Sequence, residues 1–219
     1  MKRKSVNRLK LSGGIPKRGA GKARVKAAPV DFGTYHHSTP EESNEIRERA
    51  EKAFSKLLRP LYPSDAPLRI LDAGCGLGFL VSVAAKCFPK SQVMGVDLFK
   101  HGSLASMSIK KAEENMKSLG IESRTSFLKH DLTKPLKSDT QFDLVLSNLV
   151  FHNLGKKRFQ AYRFVFDALK AGGYFVIGDV SRNDKADVDY FRDCSTIVKE
   201  LDEGESGGWG YKIRVLRKR

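Results

Sequence analysis

The sequence predicts an α/β fold: a doubly wound, mostly parallel seven-stranded sheet that ends in an antiparallel hairpin. Three observations carry that expectation. Short apolar runs alternate with longer segments of helical spacing, the pattern of repeated βαβ units. The first run, Leu68 to Asp72, passes through glycines at 74, 76 and 78 straight into the helical stretch Phe79 to Lys86, which reads as strand, tight turn and helix. The last two runs, Ser195 to Glu200 and Trp209 to Leu216, alternate apolar and polar residues across a glycine-rich connection, as paired antiparallel strands do.

Taken in order, the first residues differ from all that follow. Residues 1–30 hold ten lysines and arginines and no acid, so the +15 net charge of the 219-residue chain falls to +5 for the remainder. Several glycines and few large apolar residues leave this stretch unable to build a core, and it reads as a flexible basic tail ahead of one folded domain over 31–219. A cationic arm attracts phosphate backbones through counterion release, which makes RNA or the ribosome one implied partner. A solubilising tail, a nuclear or mitochondrial targeting segment, and general attraction to anionic surfaces are the others. The tail has no aromatic residue for base stacking, so nucleic-acid contact there would be electrostatic and unspecific in sequence.

Thr39-Pro40-Glu41-Glu42 is a helix start. Threonine caps, proline suits the first helical position and Glu42 completes a capping box. Ala50, Ala53, Phe54, Leu57 and Leu58 give that helix one apolar face, and Pro60, Pro63 and Pro67 stop it before the first strand. A second strand over Ser91 to Leu98 ends in Asp97, and a helix over Ser108 to Leu119 is closed by Gly120. Thr125 to Leu132 supplies a third strand and polar turn, and Phe142 to Leu154 a fourth strand and its loop, with the polar residues gathered at the C-terminal end. Helix Arg158 to Leu169, a turn at Ala171-Gly172-Gly173, strand Tyr174 to Val180 and helix Asp184 to Asp193 then lead to the hairpin.

The chemistry lies in the turn Asp72-Ala73-Gly74-Cys75-Gly76-Leu77-Gly78. A dinucleotide fingerprint requires G-x-G-x-x-G, but the third position after Gly78 is Val81. Asp72, two residues before the first glycine, is a poor neighbour for a pyrophosphate and a good one for a cationic ligand. Asp97 follows Gly78 at the distance a βαβ unit needs to bring the next strand end alongside, where a carboxylate can accept both hydroxyls of a ribose. Cys75 suits the tight turn by its small size, with a nucleophilic role as the alternative.

This turn resembles the first motif of the class I S-adenosylmethionine-dependent methyltransferases, and Asp97 matches their second. Within that family the pattern looks most like the small-molecule group that includes ubiquinone and menaquinone biosynthesis. The resemblance covers about residues 40 to 219. It implies S-adenosylmethionine as cofactor, with Gly74, Cys75, Gly76 and Gly78 passing under the methionine part and Asp72 holding its amino group. It further implies Asp97 and Leu98 at the ribose, and Asp131 and the Leu132 backbone at the adenine. Asn148 would sit in the loop facing the methyl, and His152 would act as a general base or simply pack beside the donor. Tyr35, His36 and His37 are candidate lid residues, or side chains of a connector.

The loop Ser147-Asn148-Leu149-Val150-Phe151-His152 lacks the Pro-Pro and aromatic with which amino-methylating nucleic-acid enzymes grip a flipped base. The reading is therefore a methyltransferase with a small-molecule acceptor. An enzyme for RNA or a ribosomal component docked through the tail, and a non-catalytic RNA-anchored module on the same fold, stand as alternatives. The cysteines and histidines show no metal-ligand spacing, no metal is expected, and the scattered cysteines suggest no disulfide framework. No apolar run is long enough to span a membrane, and the chain reads as intracellular and cytoplasmic, with a nuclear or mitochondrial destination open in a eukaryote. Oligomeric state is left open.

Overall fold

The computed structural model describes residues 29–219 apart from 101, 103, 105, 137–139, 182, 183, 207 and 208. All but the last two residues of the expected basic tail lie outside the described residues. Helix α1 (Pro40–Leu58) begins with the capping box that the sequence announces: Thr39 accepts from the Glu42 amide, and Glu42 accepts from the Thr39 amide. Then come β1 (Arg69–Ala73), α2 (Phe79–Cys87), β2 (Gln92–Asp97), α3 (Ile109–Ser118, capped by Ser108) and β3 (Thr125–Lys129). Strand β4 (Phe142–Asn148), a 3-10 segment (Phe151–Lys157), α4 (Arg158–Ala168), β5 (Leu169–Ser181), α5 (Asp184–Cys194), β6 (Ser195–Ser206) and β7 (Trp209–Lys218) complete the order.

The seven strands form one sheet in the order β3-β2-β1-β4-β5-β7-β6. The first five are parallel, and β7 pairs antiparallel with both β5 and β6. Strand order reverses between β1 and β4, which opens a crevice at their carboxyl ends, where open α/β sheets bind ligands. Two apolar layers cover the sheet. One gathers Phe54, Leu57 and Leu58 of α1 with Val81, Val83 and Ala84 of α2; the other gathers Tyr162, Val165 and Phe166 of α4 with Phe175 and Phe191. Helix α2 is buried along nearly its whole length because α1 lies on its outer side.

Two expectations need correction. Strand β5 begins at Leu169 rather than Tyr174, and the Ala171-Gly172-Gly173 turn survives as an irregularity inside it. Leu169 pairs with Phe142 and Tyr174 with Leu144, so the backbone between them leaves the ladder, with Gly172 at φ 74°. Strand β6 also runs beyond its predicted end at Glu200, because two bulges, at Ile197/Lys199 and Asp202/Glu205, let it follow β7 further.

Candidate active site

A cavity of about 520 Å³ opens at the carboxyl ends of β1, β2, β3 and β4, within the size range of small-molecule pockets. The glycine turn makes its floor and is tied to the neighbouring strand. Gly74 and Cys75 both donate to the Val96 carbonyl, at 2.7 and 3.1 Å, and Gly76 donates to Asp97 Oδ2 at 3.0 Å. Gly74 has φ 82°, and a Cβ there would lie 2.4 Å from Val150 Cγ2. The missing side chain thus makes room for the loop after β4, where the sequence suggested a ligand.

Asp72 is 1% exposed, and its Oδ2 has no hydrogen-bond partner among the described residues. Burial first, and the nearby Asp97 charge second, push its carboxyl up to about 8, against a partial offset from the Val81 backbone N–H in the first turn of α2. A cation placed beside such a group would favour its charged form. Asp97 accepts Gly76 N–H on Oδ2 and Phe99 N–H on Oδ1, and each oxygen keeps a second lone pair for a ligand hydroxyl. Asp131 binds the amide and hydroxyl of Thr133 through Oδ1, and these bonds hold its carboxyl below the usual range.

The cavity brings together Asp72, Gly74, Cys75, Gly76, Asp97, Leu98, Asp131, Leu132, Asn148 and His152 of the residues singled out in the sequence. Gly78 is not in its lining. It is the N-cap of α2 at φ 88°, with Met116 Cε 2.9 Å from where a Cβ would be, so its role is to let the helix start against α3. Cys75 turns its sulfur toward Gly95, and burial raises the thiol well above its ordinary range, which favours the packing role over the nucleophilic one.

Tyr35, His36 and His37 do reach the cavity, with Phe32 and Ser38. What holds this segment was not visible in the sequence. Buried Arg47 of α1 donates to the carbonyls of Phe32 and Gly33 and lies over the Tyr35 ring, 4.5 Å from its centroid. Asn115 of α3 exchanges two hydrogen bonds with the Asp31 backbone, and Tyr35 bridges to Leu104. On the opposite wall Asn148 accepts from the Tyr211 hydroxyl at 2.7 Å, and Leu149 takes a left-handed φ of 57° as its amide bonds to the Gly178 carbonyl. The sequence reading also missed Asp179, whose Oδ1 is 2.6 Å from His152 Nδ1. Its signal was available: like Asp72 and Asp97 it is an acid near the carboxyl end of a parallel strand.

An open parallel sheet with an antiparallel end and a carboxylate-lined crevice at its reversal point defines a doubly wound α/β protein with a cavity where such sheets bind ligands. A family model described as a methyltransferase domain matches residues 64–210. The chain belongs to that family, in its class I, S-adenosylmethionine-dependent form. It is 26% identical over 150 residues to malonyl-[acyl-carrier protein] O-methyltransferase of Bacillus cereus, an alignment covering 68% of this chain and 48% of that one. It is also 26% identical over 186 residues to ribosomal protein L11 methyltransferase of Nitratiruptor, covering 84% and 56%. The chain thus spans about half the length of these relatives. Among solved structures, magnesium protoporphyrin IX methyltransferase of Synechocystis with bound S-adenosylmethionine has the same fold, with TM-score 0.64, 14% identity and coverage of 85% of this chain and 88% of that one.

Proposed function

We propose that this chain transfers a methyl group from S-adenosylmethionine to a small-molecule acceptor. The observation that carries the donor assignment is Asp72, a buried carboxyl group that lines a cavity of the right size and whose Oδ2 has no hydrogen-bond partner among the described residues. The donor's ammonium is the cation that supplies its partner. Asp97 would take the ribose hydroxyls, and Asp131 with the Leu132 backbone the adenine edge. The bound donor supplies a methyl on a sulfonium that carries its own leaving group. The protein's work is then to align the acceptor and exclude water. Phe32 and Tyr35 to Ser38 line the cavity, in a segment held by Arg47, and would serve that purpose. The size of the cavity and the loop from Asn148 to His152, without a base-gripping Pro-Pro, favour a small acceptor. A second reading, a ribosomal component, is favoured by the long match to an L11 methyltransferase and by the ten basic residues of the tail.

Calorimetry with S-adenosylhomocysteine tests the donor site. Asp97→Ala is expected to weaken binding about 10- to 150-fold, the scale of a hydrogen bond to a charged group. No binding to the native chain overturns the proposal, and equal affinity in a folded Asp97→Ala variant removes Asp97 from the site. Transfer of tritiated methyl into unmodified cell extract, fractionated into small molecules, protein and RNA, decides the acceptor. Label in small molecules supports the first reading, and label in ribosomal protein or RNA the second.

A further inference from the structure

Asp179 gathers four donors on one carboxylate. Oδ2 accepts the backbone N–H groups of Phe151 at 2.8 Å and His152 at 3.2 Å; Oδ1 accepts the Val180 N–H at 2.8 Å and stands 2.6 Å from His152 Nδ1. The two side chains are only 11% and 23% exposed. A carboxylate accepts and does not donate, so Nδ1 carries the proton and the imidazole lone pair lies on Nε2. His152 lines the same cavity as Asp72 and Asp97.

We propose that Asp179 is a positioning residue that holds His152 as a general base, and that the acceptor presents a hydroxyl. The proposal rests on the methyltransferase reading given above. A carboxylate acceptor arrives ionised and has no use for a base fixed in this tautomer. A hydroxyl is weakly nucleophilic until its proton leaves. As the hydroxyl oxygen bonds to the methyl carbon, the carbon–sulfur bond breaks with its electron pair left on sulfur, and the hydroxyl proton passes to Nε2. The imidazolium so formed faces Asp179, which stabilises it, and the proton later goes to water.

Asp179→Asn separates this role from a purely structural one. An amide has one accepting oxygen, and the Phe151 and His152 N–H groups, two fixed donors against the single Val180 N–H on the other side, claim it, so that the Val180 N–H loses its partner. The NH2 then faces Nδ1, and the ring must move its proton to Nε2, where it can no longer act as a base. The test uses the full chain with S-adenosylhomocysteine bound, reading the histidine tautomer from imidazole nitrogen spectra. The native chain is expected to show Nδ1–H at His152, and Asp179→Asn to show Nε2–H with the affinity for S-adenosylhomocysteine retained. In parallel, tritiated methyl transfer is measured to phenol and catechol, and to a carboxylic acid and a thiol. Label is expected on the hydroxyl probes, falling about 10²- to 10⁴-fold in His152→Ala and strongly in Asp179→Asn. Nε2–H in the native chain, no label on the hydroxyl probes, or label on the acid or thiol that His152→Ala leaves unchanged overturns the proposal. Failure to bind S-adenosylhomocysteine counts against the donor reading instead, and the tautomer then decides the dyad alone.

Discussion

Replacing Asp72 by asparagine is expected to stabilise the protein at alkaline pH while impairing the donor site. In the folded chain the Asp72 carboxyl is pushed up to about 8 by its burial and by Asp97; in an unfolded chain it ionises near 3.9. Between those values the folded state holds a proton that unfolding releases, so stability falls as pH rises across the window and levels off above it. At about 1.4 kcal/mol per pH unit the cost reaches on the order of 5 kcal/mol by pH 8. Asparagine has the same shape and no charge, and escapes that cost. For a chain of this size, 1 kcal/mol moves the melting temperature by roughly 2 to 4 °C. Thermal melts from pH 4.5 to 8.5 should therefore begin close together for the two proteins and separate by on the order of 10 °C or more. The same variant should lose affinity for S-adenosylhomocysteine, because its ammonium no longer meets a carboxylate. Parallel melting curves would refute the assignment of a buried, proton-holding Asp72.

Two further outcomes follow from geometry. Arg47→Ala removes two charge-assisted bonds to the Phe32 and Gly33 carbonyls; it should lower stability in urea by about 2–4 kcal/mol and open residues 30–38 to limited proteolysis, and an uncut segment would mean that Asn115 and the Tyr35 bridge suffice to hold it. A Cβ at Gly178 would lie 2.5 Å from the Tyr211 hydroxyl and 2.9 Å from Asn148 Oδ1, so Gly178→Ala should cost about 1–3 kcal/mol. Adding Tyr211→Phe should recover part of that loss, and strict additivity of the two changes would show that the hydroxyl is not what the methyl strikes.

Local signals were legible in the sequence, and long-range ones were not. The capping box at Thr39 and the strand–turn–helix around Gly74 involve neighbours within a few positions, so the residue types announce them. The carboxylates Asp72, Asp97 and Asp131 were readable because they recur at strand ends. Arg47 reads in sequence as one more surface charge of a polar helix, and only the fold shows its guanidinium turned inward under the Phe32 backbone. Asp179 lies 27 residues from His152, and their contact exists because β4 and β5 run side by side. The ends of β5 and β6 escaped because bulges carry pairing past residues that local pattern marks as turns.

The hairpin at the end of the sheet also constrains how the molecule is made. Strand β7, the latest in sequence, lies inside the sheet, while β6, made before it, forms the border. Without β7, the side of β5 that it pairs with would carry an unpaired row of backbone groups. In the finished sheet β5 and β6 are joined only through β7. Tyr211, which braces Asn148 at the cavity wall, is carried on that late strand. The cavity wall at Asn148 is thus braced from the last strand of the sheet in sequence.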